Sequence, residues 1–267
     1  MKIYDFEFDG KNLSDFDFIV CNFGDKGLDT VSNGATISFN TVATLSGAKH
    51  ELISSTYEDP LETTIQICKK PCGGNNMEIG SVTFRELTKW LCRKHFSKLK
   101  LLSEEYADLY YEAKFDVSRI ELDGKLIGLE LGITTNRPFA LKEPKIITIK
   151  NLVQDGKYSI NDISHEEGHI YPYVEITIGD INKYGDLKIH NAIENRDTEI
   201  KNCVAGEIIT MDYPIIQSSV SSHDIQNDFN WNFFRVANTF DNSRNDLTIS
   251  LPCTIKMKYS PIVKVGL

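Results

Sequence analysis

The sequence predicts a mainly β protein of two domains, and three observations carry that expectation. Apolar and polar residues alternate with a two-residue period along most of the chain, the mark of half-buried strands. Only one stretch, FRELTKWL at residues 84–91, places its apolar residues at helical spacing. The length of 267 residues exceeds the roughly 100 to 200 of a single domain. The expected architecture is an N-terminal antiparallel β-sandwich or barrel-like domain carrying that helix, over residues 1–142. A C-terminal antiparallel β-sandwich then spans residues 143–267.

The strands can be taken in order. Residues 3–8 alternate around Ile3, Tyr4, Phe6 and Phe8; 16–23 and 35–45 follow, the latter with Ile37, Phe39 and Val42. Gly10, Gly24, Gly27, Gly34 and Gly47 punctuate them. A short strand at 63–68 is stopped by Pro71 and the turn cluster of Gly73, Gly74, Asn75 and Asn76. Thr83 precedes Glu86 by three positions, the spacing of a capping box, so the helix is expected to start there. Phe84, Leu87, Trp90 and Leu91 form its apolar face and Arg85, Lys89, Arg93 and Lys94 the opposite one, with an end near His95 or Lys98. Strands at 110–117 and 119–122 lead into Asp123 and Gly124, a pair suited to a tight hairpin, and out through 125–134. Pro144 suits a boundary, which falls at residues 140–145. Beyond it, strands at 146–150, 171–178, 186–192, 198–203, 207–212, 229–236 and 247–258 recur with Asn, Asp and Gly turns, the spacing of a sandwich.

Composition narrows the function. Hydrophobic residues make up 41% and charged residues 25%, which excludes disordered, collagen-like and coiled-coil chains. The net charge of −9 lacks the basic footprint of a nucleic-acid binder. No run approaches the eighteen or so apolar residues of a membrane helix. The N-terminal MKIYDFEFDG is acidic and alternating where a secretory signal needs a basic start and an apolar run, so synthesis and folding in the cytosol are expected. The six cysteines (Cys21, Cys68, Cys72, Cys92, Cys203, Cys253) then read as free thiols.

Catalytic and metal motifs fare poorly. His165–His169 (HEEGH) matches the HExxH pattern of zinc peptidases, which needs a helix to bring both imidazoles to one metal with the glutamate as base. Gly168, Pro172 and the alternation of 171–178 predict a loop entering a strand instead. Cys68 and Cys72 (CKKPCGG) have no second ligand pair at suitable spacing, and Cys92 and His95 would complete a site only if the fold delivered them. No nucleophile elbow, phosphate-binding loop or dinucleotide fingerprint is present, so no catalytic role and no cofactor are expected. Tyr171, Tyr173, Trp231, Phe233 and Phe234 are candidates for stacking on sugar rings, although alternate strand positions usually fill a core. Trp231 is the foremost of them.

The order of features resembles the distal tail (Dit) proteins of long-tailed phages and prophages of Gram-positive bacteria. The matching elements are FEFDGKNLSDFDFIV, the helix with Trp90 and Leu91, the strand LYYEAKFDV, and NRPFAL with Pro138, Phe139 and Ala140. In the second half YPYVEITIGD, DLKIHNA and GEIITMD resemble the family's galectin-like sandwich, while FDNSRNDLTISLPC lacks the glycine expected near its last hairpin. The resemblance implies a virion structural protein at the distal end of the tail, synthesised in the host cytoplasm. Six copies would form a ring joining the tail tube protein to the tail-tip protein and other baseplate parts, with no nucleic acid, membrane or cofactor. The N-terminal domain would form the ring and the C-terminal domain project from it. A carbohydrate-binding protein that contacts the host wall through Trp231 is the alternative.

A closed ring needs heterologous patches, one surface of each copy meeting a different surface of the next. Residues 1–30 hold seven acids and three bases, and residues 85–100 six bases and one acid. Asp5, Asp9, Asp15 and Asp17 are therefore candidates to face Arg85, Lys89, Arg93 and Lys94 of a neighbouring copy. The plainer alternatives are that both groups are solvated or that they meet within one chain.

Overall fold

A computed structural model describes residues 3–23, 36–43, 49–71, 77–103, 106–181, 184–239 and 241–265. The chain divides into two compact units, Met1–Lys142 with Val263–Leu267, and Glu143–Ile262.

The first unit begins with β1 (Asp5–Phe8), β2 (Lys11–Asn12), a 3-10 turn at Leu13–Phe16 and β3 (Phe18–Cys21). β4 (Ile37–Ala43), β5 (His50–Tyr57), β6 (Glu62–Lys69) and helix α1 (Ser81–Leu91) follow. β7 (Ser97–Leu102), β8 (Leu109–Leu122), β9 (Lys125–Thr135) and β10 (Ala140–Lys142) complete it. Its main sheet runs β2-β1-β7-β8-β9-β6-β3, with antiparallel neighbours throughout. β8 and β9 turn at Asp123 (φ 50°) and Gly124 (φ 73°), two left-handed residues as a twisted two-residue hairpin requires, which is why Asp-Gly stands there.

Helix α1 covers the apolar side of this sheet. Leu87, Trp90 and Leu91 are buried with Phe6, Phe8, Leu99, Leu129 and Leu131 in one core. The Trp90 ring stacks on Phe6 (centroids 5.7 Å, 7°) and on Phe16 (4.6 Å, 19°), and its Nε1–H donates to the Phe8 carbonyl at 2.9 Å. The helix is displaced from its sequence expectation. It starts at Ser81 behind Gly80, with no side-chain cap, so Thr83 lies inside its first turn and does not cap it. It ends at Leu91 because Cys92 leaves helical space (φ −81°, ψ 84°) before strand β7, well short of Lys98.

The second unit holds β11 (Lys145–Asn151), β12 (Gly156–Asn161), β13 (Gly168–Ile170), β14 (Tyr173–Ile178) and β15 (Gly185–Asn191). β16 (Arg196–Cys203), β17 (Ile208–Asp212), β18 (Ile215–Ser218) and the one-turn helix α2 (Ile225–Asp228) come next. β19 (Val236–Asn238), β20 (Arg244–Ile249), β21 (Cys253–Tyr259) and β22 (Ile262–Val263) close the chain. Val263 lies in the core of the first unit, and β22 pairs with β10. Two sheets, β11-β21-β14-β17-β18 and β12-β20-β15-β16, enclose one core. Val174, Ile176, Ile255 and Met257 enter it from the first sheet; Leu187, Ile189, Leu247 and Ile249 enter from the second. Each set is spaced by two, as face-to-face sheets demand.

Two expected strands are corrected. Residues 247–258 do not form one strand: β20 ends at Ile249, Ser250–Pro252 cross over, and β21 begins at Cys253 in the other sheet. The tight turn nearest this segment is earlier, where Thr239 and Asn242 exchange backbone hydrogen bonds (2.8 and 2.9 Å). Residues 229–236 are not a ladder strand either. Phe229 makes an isolated bridge to Ile200 and the Asn230 N–H donates to the Glu199 carbonyl, but left-handed Trp231 breaks the extended run and no ladder resumes before Val236.

Candidate functional site

The motifs with catalytic precedent fall apart in the fold. His165–Glu167 form a bend, and Gly168–Ile170 are strand β13 paired with β19, so His165 and His169 share no helical face. His169 instead lies edge-on to Tyr171 and 3.4 Å from Arg235 Nη1; its pKa is lowered, by partial burial first and then by the Arg235 charge. Cys68 is buried on β6, hydrogen-bonded with Cys21 of the neighbouring strand β3. Cys72 lies outside the described residues. Cys92 and His95 are exposed beyond the end of α1, and among the described residues no three His, Cys, Asp or Glu side chains are grouped to hold a metal.

The acidic and basic candidates partly satisfy each other within the chain. Arg93 Nη2 meets Asp9 Oδ2 at 3.1 Å. Asp5 Oδ1 accepts the backbone N–H of Phe6 (2.8 Å) and of Ser14 (3.3 Å), and Asp15 Oδ2 accepts that of Asn12 (2.9 Å). These carboxylates fasten the first turns of the chain, a role local sequence favours for Asp. Asp17 is exposed in left-handed conformation (φ 60°), and Arg85, Lys89 and Lys94 point into solvent from α1 and its end.

A second surface is apolar. β4 and β5 form a two-stranded ribbon that, among the described residues, pairs with no further strand. Ile37, Phe39, Val42, Leu52 and Ile53 stand exposed on it, Phe39 and Ile53 each at 63%. At its base Tyr57 packs edge-on against Phe139 (6.3 Å), and the Glu58 N–H donates to the Thr36 carbonyl at 3.0 Å. An isolated ribbon is marginal in water, and exposed apolar residues clustered on one mark a surface that is covered in use. β4 is legible in the sequence and β5 is not. The adjacent Leu52 and Ile53 in HELISSTY break the two-residue alternation, and the fold accommodates them with a register shift between Asn40 and Thr41 that leaves Ile53 without a ladder partner.

In the second unit, Trp231 is 56% exposed with a left-handed backbone (φ 58°). Its Nε1–H donates to the Gln226 carbonyl at 3.2 Å, and its ring lies 5.7 Å from Phe229 and 6.4 Å from Phe233. Phe233 and Phe234, the other candidates from this segment, are core residues. Tyr171 stacks on Tyr213 (4.2 Å, 12°), and Tyr173 is 42% exposed.

Comparison with known proteins follows the same two-part division. A model described as the phage tail protein N-terminal domain matches residues 1–137, and one described as the phage tail C-terminal domain matches residues 139–259. Among curated proteins none matches the chain. The fold is similar to that of the SPP1 Dit protein, described as a paradigm of the hub adsorption apparatus in phages infecting Gram-positive bacteria. That likeness has a TM-score of 0.60 at 11% identity and covers 97% of this chain and 99% of that one. The phage p2 baseplate in its activated conformation with Sr gives a TM-score of 0.45 at 12% identity, covering 97% and 98%. The form with Ca gives 0.45 at 12%, covering 96% and 98%. The fold thus agrees with the distal tail resemblance read in the sequence. Matched in both halves and in order, the chain belongs to the phage tail protein family.

Proposed function

We propose that this phage tail protein is the structural hub at the distal end of the tail, closing into a ring of six copies. The ring would join the tail tube to the tail-tip and receptor-binding parts, with the first unit forming it and the second reaching neighbouring baseplate proteins. The role is one of assembly, not catalysis. The observation that carries it is the β4–β5 ribbon. Full burial of a large apolar side chain contributes about 1.5–3 kcal/mol and these are already partly buried, so each adds less than that, as a favourable term toward closing a ring whose subunits each carry a net charge of −9. The cationic side chains that remain turned to solvent, Arg85, Lys89 and Lys94, suit the acidic first strands of the next copy. Such pairs steer docking more than they add affinity.

Replacing the ribbon's most exposed residues tests this reading. The Phe39→Ser, Ile53→Ser double variant should keep the thermal transition of the parent protein and sediment as a monomer at concentrations where the parent assembles. Assembly equal to the parent's would remove the ribbon from the interface.

A further inference from the structure

The indole of Trp231 is 56% exposed although its N–H is bonded to the Gln226 carbonyl. Phe229 and Phe233 are already buried beneath it, at 3% and 5% exposure. A bulky residue enters left-handed backbone space only at an energetic cost, and such strain persists where the surroundings enforce it. Here the surroundings do enforce it. The Asn230 N–H donates to the Glu199 carbonyl at 3.1 Å, the Asn230 Nδ2–H to the Asp197 carbonyl at 3.0 Å, and the indole itself to Gln226. The segment is thus pinned to β16 on one side and α2 on the other, with the ring held outward and fixed in orientation.

The two residues flanking Trp231, Asn230 and Asn232, line a shallow polar depression of about 480 Å³ that is open to solvent and does not include the indole itself. Glu194 and Arg235 line it too, locked as a bidentate pair: Nη2 to Oε1 at 2.5 Å and Nε to Oε2 at 2.8 Å. Asp197 and Glu199 are both held by Lys188, at 2.6 Å and 3.3 Å. With Arg196, three carboxylates therefore face three cations. The lining itself holds three acids and two bases, and Lys188, just outside it, pairs with two of the acids, so its carboxylates are tied up in ion pairs.

A flat aromatic face close to amides and ion-paired groups held in place suits a ligand with apolar C–H faces and many hydroxyls. We propose that Trp231 and the adjoining depression form a binding site for a neutral saccharide. One sugar ring packs on the indole, and hydroxyls of that ring or the next bond to the Asn232 amide and to the Glu194–Arg235 pair. The proposal stands apart from ring formation, because none of these residues belongs to the ribbon or to α1.

The chain has two tryptophans, and the other, Trp90, is 3% exposed in the first unit's core. A ¹⁵N-indole spectrum of the full chain therefore has two signals, assigned with Trp231→Phe. The probes are chitohexaose, maltoheptaose and lactose, with dextran sulfate as an anionic control, each at up to about 10 mM, ten times a weak Kd of about 1 mM. At least one neutral probe should move the Trp231 signal saturably and leave that of Trp90 in place. Asn232→Ala should weaken that binding about tenfold, the effect of 1.4 kcal/mol; Trp231→Ala, which has no indole signal at the site, should show no heat of binding to the same sugar in calorimetry, with its Trp90 signal unchanged as proof of folding. A flat response to every neutral probe, or a response to dextran sulfate alone, would overturn the proposal. So would a Trp231 ring shielded from iodide quenching without sugar in the assembled protein, since that would assign it to a contact between copies.

Discussion

Arg93 Nη2 and Asp9 Oδ2 meet at 3.1 Å within one chain, tying the end of helix α1 to the β1–β2 turn across 84 positions of sequence. This pair takes one member from each of the two charged groups that a ring of copies was expected to bring together. Of that basic group, Arg85, Lys89 and Lys94 are left facing solvent.

The side chains of that pair are 33% and 47% exposed, so water screens it. Arg93→Ala should lower stability by less than about 1 kcal/mol, read from urea unfolding. Lys89→Glu combined with Lys94→Glu should leave that unfolding curve in place and weaken assembly at low salt in sedimentation velocity. The deficit should shrink toward about 1 M salt, where the screening length is about 3 Å. Equal assembly of variant and parent at low salt would contradict charge pairing between copies.

Trp90 is the pivot of the first unit, with its rings stacked on Phe6 and Phe16 and its N–H spent on the Phe8 carbonyl. Trp90→Phe keeps an aromatic ring but removes the buried donor, and should cost about 1–3 kcal/mol. Trp90→Ala should cost about 3–5 kcal/mol by leaving a cavity. Both are read by denaturant unfolding, and a loss below that of Arg93→Ala would contradict the packing described.

Burial pushes the thiols of Cys203 and Cys253 up to about 12, whereas Cys92 is exposed at the end of α1 and raised more modestly, by partial burial first and then by Asp116. Peptide mapping after alkylation at pH 8 should find Cys92 modified in the folded protein and Cys203 and Cys253 modified only after unfolding. The sign of the linked stability follows. A thiol raised on folding favours the folded state fully below its ordinary value of 9.0. As pH climbs past that value, the unfolded chain loses the proton first, so stability should fall from about pH 9 toward 12. Constant stability through that window would contradict the burial.

Much of this fold was legible in local chemistry. Asp123 and Gly124 announce their hairpin because only a few residues tolerate two successive left-handed positions, and Trp90 and Leu91 announce the helix by their spacing. What periodicity could not convey is pairing. Residues 229–236 alternate in sequence like a strand, yet left-handed Trp231 turns its ring outward, Phe233 and Phe234 are both buried, and only Phe229 and Asn230 bond to β16. Ser250–Pro252 read as the middle of a strand because apolar residues continue through them, while the chain there is changing sheets. The exposure of Trp231 was equally hidden, since it depends on a left-handed backbone that nothing around an Asn-Trp-Asn triplet demands.

The proposed hub requires copies of this chain to close into a ring. Native mass spectrometry of the purified full chain, with negative-stain images of the same sample, measures that directly. It should give a dominant species of six chains and six-fold rings, with the Phe39→Ser, Ile53→Ser variant reduced to the mass of one 30.3 kDa chain. A parent protein that stays at the single-chain mass at high concentration, alone and mixed with the tail tube protein, would contradict it.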